Sequence, residues 1–439
     1  MDFKKRKGFG DNVGELDIFK PKESLDRTPP EKRKKLIYSV IQEARASMKR
    51  TFDQVVDSEY YRMDEFLSTY TIDSRPVSFQ PRGLVNRNNY CYLNAILQAL
   101  IACPPFYNML NCLSENIPSN VRRKSIPFIV GMCRFVRQFD CSPSKIRRQD
   151  RGVGKLSVII KTCTPFSPRC IHKLLHSMRT DWIEGRQQDA EEFLSFLLNG
   201  LKDEMMELFK CCSEEGNPPV DSATGDNSSD EWKLQGSKNS GYVYRRTNFA
   251  STPVSDIFEG KLKSSIHRAG GHITENIQPF LTLPLNVGTV QSVRGALDLF
   301  ISKNRLECNG QVEAWEQVAL HEPPVVLILH LQFFDFSHGG CTKIVKDLDY
   351  EFDLNIDSIL DSSKSHSPEE KQYKLFAVVY HDGDEADMGH YVTDAFHVGY
   401  NCWLRYNDSS VKTVQDEYVL KPQGTRVPYL LFYRRSDMM

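Results

Sequence analysis

The segment RGLVNRNNYCYLNAILQAL, residues 82–100, sets a cysteine where a thiol can react. Asn86, Asn88 and Asn89 are poor helix formers and good turn and cap residues. Leu93, Ile96, Leu97 and Leu100 then recur at three- and four-residue spacing, which predicts a helix with one buried face. Cys103-Pro104-Pro105 ends it, because proline lacks an N–H and disfavours helical geometry in the residue before it. Cys91 therefore falls in the first turn. There the unpaired N–H groups and the positive end of the helix dipole favour a thiolate. A small buried thiol is the other reading of the same residue.

A cysteine nucleophile needs a base that takes its proton and later returns it to the leaving amine. It also needs a group that orients the base, and donors for the tetrahedral oxyanion. YHDGDEADMGHYVTD places His390 at the start of a predicted strand, behind a Gly- and Asp-rich loop. Gly389 beside it permits close approach of another part of the chain. A further short strand leads into WLRYNDSSV, with Asn407 and Asp408 at its end. Two adjacent strands and a turn could bring these side chains to His390. His330 is embedded in an apolar run and reads as a core or sheet residue. His172, His176, His267, His272, His321, His338, His366, His381 and His397 have no comparable setting.

The elements that must position these groups divide the chain in two. From Arg82 to about Lys210 the pattern is mostly helical. After about Gly241 come short β-branched and aromatic runs separated by turn signals: VVLILHLQFF, YKLFAVVYH, GHYVTDAFHV and VPYLLFYRR. They predict antiparallel sheet. Helices first and strands second is the order of an α+β fold. Residues 1–30 read as a disordered tail, and 31–80 as an N-terminal helical extension. In the extension Ile37, Val40, Ile41, Ala44, Met48, Phe52 and Val55 share one face. That helix either packs on the main domain or binds a protein partner or membrane surface. Residues 213–230 carry almost no apolar side chain and read as a disordered insertion.

With 439 residues, 40% hydrophobic and 26% charged, the chain is ordinary for a globular protein. A net charge of -1 gives no field that calls for nucleic acid, and no apolar run reaches membrane-spanning length. MDFKKRKGFG has no apolar stretch behind its charges, so the 12 cysteines are expected to be reduced in a cytoplasmic setting. Lys4–Lys7 and Lys32–Lys35 read as nuclear-import signals or as solvated charge runs. No Cys-x-x-Cys pair occurs, so neither a metal site nor a cofactor is expected.

Five motifs in order, from Pro81 to Arg435, resemble the ubiquitin-specific proteases, a family of papain-like deubiquitinating enzymes. GLVNRNNYCYLNAILQAL resembles their cysteine box, and GRQQDAEEFLSFLL their Gln-Gln-Asp-Ala box. LILHLQFF resembles a characteristic strand, while GHYVTD and WLRYNDSSV resemble the histidine box. The resemblance implies a helical thumb (about 83–210) and an antiparallel β palm with fingers (about 241–435), holding ubiquitin on modified proteins. It makes Cys91 the nucleophile and His390 the general base and acid. Asn407 becomes the orienting residue, Asp408 its acidic neighbour and Asn86 the oxyanion donor. Asp189 matches the acidic residue that engages an arginine of the ubiquitin tail, with Glu192 as a second candidate. The alternative for both is solvated charge on the helix bearing Phe193, Phe196 and Leu197. Gln187 and Gln188 could hydrogen-bond neighbouring loops. Gly389 and Tyr391 match positions lining a narrow channel that admits only a Gly-Gly end.

The family's loop glycine is replaced by Asn88, among the few residues that tolerate positive φ. The usual Thr or Ser before the nucleophile is Tyr90, and the usual Lys-Arg pair is Gln332-Phe333. None of these removes a catalytic group, so an active thiol-dependent ubiquitin hydrolase is expected. A non-catalytic ubiquitin-binding scaffold and a protease for another ubiquitin-like modifier are the alternatives.

Overall fold

The apolar spacing after Cys91 does produce a helix, Cys91–Ile101, but all 11 of its residues are buried, not one face of it. The polar positions can be buried because each has a partner. The Gln98 amide donates to Arg82 O at 2.8 Å, and Asn94 reaches Leu84 O and the Asp408 carboxylate. Burying these amides unpaired would cost on the order of 1–3 kcal/mol each. Ala102 closes the helix, and Pro104 opens the next, Pro104–Asn116, after a 90° bend. Proline is suited to both ends of that break, since it cannot continue a helix and its φ fits a first turn.

The computed structural model describes residues 66–116, 126–139, 147–149, 157–178, 188–213, 230–235, 242–247, 251–268, 271–308, 311–335, 342–385 and 388–439. The tail 1–30, the amphipathic stretch 31–56, both lysine runs and the insertion at 214–229 lie outside the described residues. The end of the segment read as a helical extension differs from that reading. Residues 70–80 have no regular secondary structure. They lie along the domain instead, with Phe79 buried and its ring stacked 5.4 Å from Tyr107.

Residues 82–213 form a helical layer with two additions of strand. Arg82–Leu84 pairs in parallel with Cys163–Phe166, and a two-stranded ribbon joins Arg147–Gln149 to Ser157–Ile159. The longest helix, Ala190–Ser213, packs on Cys91–Ile101 and on Pro127–Val136. Its Glu204 carboxylate, wholly buried, accepts from Phe128 N and Ile129 N at 2.8 Å. Those are first-turn N–H groups of Pro127–Val136 that have no partner within their own helix.

Among the described residues the second half builds two large sheets and a two-stranded ribbon, Phe334–Asp335 with Thr342–Lys343. One has six strands in the order Asn304–Cys308, Gln311–Glu322, Gly260–Arg268, Ile273–Phe280, Tyr242–Thr247, Asp230–Gln235. The other runs Ser410–Val414, Cys402–Asn407, His390–His397, Gln372–Asp382, Val427–Arg435, Val326–Gln332, Leu283–Asn286, with Asp353–Asn355 beside Gln372–Asp382. Most pairs are antiparallel, as the turn signals predict. Leu283–Asn286 on Val326–Gln332 and Tyr242–Thr247 on Ile273–Phe280 are parallel, because their connections cross other strands instead of turning tightly. The central strands are buried nearly end to end, as in VPYLLFYRR. Cys91–Ile101 covers one face, and a core containing Leu285, Val293, Leu329, Leu354 and Tyr433 fills another region against the sheet. That explains continuous apolar runs where a half-solvated strand would alternate. The fold is α+β.

Candidate active site

Two elements begin at the site. Cys91 is the first residue of its helix and His390 the first of its strand. The helix lies on that strand, and the buried Thr393 hydroxyl donates to Ala95 O at 2.7 Å. Ala95 is four residues past Cys91 and Thr393 three past His390. One cross-link therefore sets the two starting residues at the same end of the packed pair.

The His390 ring lies between two partners. Its Nε2 is 2.7 Å from Asn407 Oδ1, and Cys91 stands close enough to act on the ring's charge. An amide oxygen only accepts, so Nε2 carries a proton and donates it to Asn407. That leaves Nδ1 for the sulfur. The contact with Cys91 is the largest influence on the imidazolium and raises its pKa to about 9. Burial opposes this, while Asn407 and the Asp408 charge add to it.

Asp408 stands differently from Asn407. Its Oδ2 is 3.9 Å from His390 Nε2, beyond hydrogen-bond reach. Its carboxylate instead accepts from Asn94 Nδ2 at 2.8 Å and from Asn86 Nδ2 at 3.1 Å, and its backbone carbonyl from Leu84 N at 2.9 Å. Asn86 in turn accepts the Tyr90 N–H on Oδ1 at 2.9 Å, so both ends of its amide are held. Its Nδ2 keeps a second hydrogen beyond the one given to Asp408. Asp408, in the left-handed region at φ 49°, ties the turn after Cys402–Asn407 to the loop that precedes Cys91. In that loop the positive φ falls on Asn89 (58°) and not on Asn88, the position where sequence comparison puts it.

Asp189 is neither a solvated charge nor part of the helix. It precedes Ala190–Ser213, and its Oδ1 accepts from Glu191 N at 2.6 Å and Glu192 N at 3.2 Å, which caps the helix. Its Oδ2 accepts the Tyr429 hydroxyl at 2.5 Å. Gln188 and Glu192 flank it, both half-buried, and Gln187 lies outside the described residues. Tyr391 is buried, 5.8 Å from the Tyr429 ring and 4.9 Å from His381. These rings connect the Asp189 cap to the start of the histidine strand.

His381, without context in sequence, is buried against Gly389: a Cβ there would lie 2.4 Å from His381 Nε2 and 2.7 Å from Asp382 O. Any side chain at 389 would displace the ring. Among the described residues neither His381 nitrogen has a hydrogen-bond partner. Burial, with Lys343 nearby, lowers its pKa to about 4, so the ring is neutral. His172 and His176 lie against Tyr90, the residue before Cys91. Tyr90 stacks on His172 at 4.3 Å and its hydroxyl is 3.1 Å from His176 Nε2. The bulk of Tyr90 is thus buried in the helical layer. His330 is half-buried, edge-on to Tyr429. Gln332 is exposed, whereas Phe333 enters the core. Sequence reading missed Asn94, His381, Thr393 and Tyr429. Only the polar Asn94 within an apolar helix carried a signal, since a buried amide demands a partner. Among the described residues, no three His, Cys, Asp or Glu side chains are grouped to hold a metal ion.

Comparison with known proteins agrees with the motifs. The ubiquitin carboxyl-terminal hydrolase family model matches residues 82–433. Ubiquitin carboxyl-terminal hydrolase 10 of Gallus gallus is 36% identical over 86% of this chain and 52% of its own length. The chain thus spans about half the length of those relatives. A probable ubiquitin carboxyl-terminal hydrolase 3 of Schizosaccharomyces pombe is 31% identical over 85% of this chain and 78% of its own. Among solved structures, the SAGA Ubp8/Sgf11/Sus1/Sgf73 DUB module bound to ubiquitin aldehyde shares the fold. The TM-score is 0.59 at 22% identity, over 84% of this chain and 72% of that one. The chain belongs to the ubiquitin carboxyl-terminal hydrolase family.

Proposed function

We propose that the chain is a cysteine-type deubiquitinase that hydrolyses the amide or isopeptide bond after the C-terminal glycine of ubiquitin. The observation that carries this is the His390 ring, its charge raised by Cys91 beside it and its Nε2 held by Asn407 at 2.7 Å. Cys91, as thiolate, attacks the glycine carbonyl and the C–S bond forms. The oxyanion is met by the free hydrogen of Asn86 Nδ2 and by N–H groups of the opening turn. Imidazolium His390 gives its proton to the lysine amine as the C–N bond breaks. Water then adds to the thioester with His390 as base, the C–S bond breaks, and the thiolate returns. Because the resting pair is already charge-balanced, an amide at 407 suffices to hold the ring. Asp408 acts one step back, by holding Asn86.

Gly389, allowing no side chain, suits a Gly-Gly tail, and the fixed Asp189 carboxylate suits an arginine of that tail. Gln188, Glu192 and Tyr391 border the same region. Labelling of Cys91 by a ubiquitin C-terminal electrophile is the direct test. We expect wild type to be labelled and to release ubiquitin from a lysine conjugate. Cys91→Ala should bind ubiquitin but neither label nor turn over. Binding without labelling in wild type would favour a scaffold. Labelling only by another modifier's probe would change the substrate.

A further inference from the structure

Lys343 is separated from His390 by 46 positions and belongs to a two-stranded ribbon, Phe334–Asp335 with Thr342–Lys343. Its ammonium donates to His381 O at 3.1 Å, to Thr425 O at 2.9 Å and to Gly383 O. An ammonium has three hydrogens, and here three carbonyls receive them. None of the three lies on the ribbon. Two lie where Gln372–Asp382 ends, and the third lies on the segment leading into Val427–Arg435.

Gly383 and Gly389 stand close together. Gly383 has φ 130°, open in practice only to glycine, and a Cβ on it would come within 3.1 Å of Gly389 Cα and Met388 O. Its N–H reaches Thr425 Oγ1 at 3.3 Å, and Thr425 donates to Asp382 Oδ1 at 3.2 Å. Arg426 holds the other carboxylate oxygen of Asp382 at 2.7 Å. Asp382 is paired in register with His390, and His381 with Tyr391. Phe334, opposite Lys343 in the ribbon, sets its ring edge-on to His381 at 5.5 Å. Lys343 thus closes a frame whose other members already fix the strand pair. Its own bonds fall at the end of Gln372–Asp382 and before Val427–Arg435.

We propose that Lys343 is a positioning residue for acyl transfer. By gathering three carbonyls it fixes Gly383, which packs on Gly389, so that Gly389 stands where only a glycine tail can pass. The assignment rests on the deubiquitinase reading. His390 itself is held by Asn407 and by strand pairing. Loss of the ammonium should therefore disturb the tail's path while leaving the Cys91–His390 pair intact.

The test uses the full chain with Lys343→Met, which keeps the stem and removes the donors, and Lys343→Arg, which restores donors in a planar fork. Turnover of a fluorogenic ubiquitin C-terminal amide should fall about 10- to 10²-fold in kcat/KM for Lys343→Met, with a raised KM, and recover in part for Lys343→Arg. The preference for a Gly-Gly over a Gly-Ala tail should narrow. Alkylation of Cys91 by iodoacetamide across pH should stay within about twofold, because the surroundings of Cys91 and His390 are untouched. Equal losses of alkylation and turnover, or turnover within twofold of wild type, would overturn the assignment. An inert wild type would overturn the deubiquitinase reading too, whereas an active wild type with an unaffected Lys343→Met overturns Lys343 alone.

Discussion

Asn407 and Asp408 are adjacent, yet the structure gives them separate tasks, and kinetics should separate them. Asn407 meets His390 Nε2 and helps to raise its pKa to about 9. The raised value means that the charged ring is stabilised in the fold. This contribution is complete below the ordinary pKa of 6.5 and is lost as pH rises through about 9. The alkaline limb of kcat/KM should lie near 9 in wild type and move to lower pH in Asn407→Ala, with a loss of about 10²-fold at neutral pH. Asp408→Ala frees Asn86 and Asn94 instead. Its loss should appear in kcat with the alkaline limb nearly unmoved. If Asp408→Ala moves the limb and Asn407→Ala does not, the two roles are reversed.

Among the elements, the joint between Cys91–Ile101 and His390–His397 decides whether Cys91 and His390 meet. Thr393→Val keeps the shape and deletes the bond to Ala95 O. It should cost about 1 kcal/mol in urea unfolding and lower kcat more than KM. A second joint is Glu204. Burial pushes its carboxyl well above the usual range, yet the carboxylate holds two N–H groups of another helix. A raised carboxyl pKa means that stability falls as pH rises through it. Glu204→Ala should destabilise the chain by about 1–3 kcal/mol, read by thermal or urea unfolding, through the unpaired N–H groups it leaves. Because Glu204 touches no reacting group, kcat of the folded fraction should be unchanged.

At the scale of the molecule, every group assigned to the site lies between Arg82 and Tyr429, and the preceding segment contributes Phe79. Phe79 packs on Tyr107, Phe139 and His397, whose ring reaches back to Phe79 O at 2.8 Å. Phe79→Ala should cost about 3 kcal/mol or more, as large-to-small changes in a core do. A chain beginning at residue 66 should keep kcat/KM on a ubiquitin amide within about twofold of the full chain, since it retains Phe79 and every site residue. A larger loss would show that the removed residues assist the site.

The sequence by itself determined what local rules control. The Asn-rich turn, the apolar spacing and the two prolines place Cys91 at a helix start. Gly389 and His390 fall at a strand start because turn residues precede a β-branched run. These signals depend on neighbours a few positions away, which a sequence displays directly. Tertiary structure alone decided which partner each polar group takes. Asn407 rather than Asp408 faces the imidazole, Asp408 serves Asn86 and Asn94, Asp189 caps a helix beneath Tyr429, and the positive φ falls on Asn89. The full burial of Cys91–Ile101 and the setting of His381 against Gly389 belong to the same class. Each joins residues far apart in the chain. Such pairings are fixed by how the two layers pack and by which buried donors and acceptors that packing brings together, a condition no local pattern encodes.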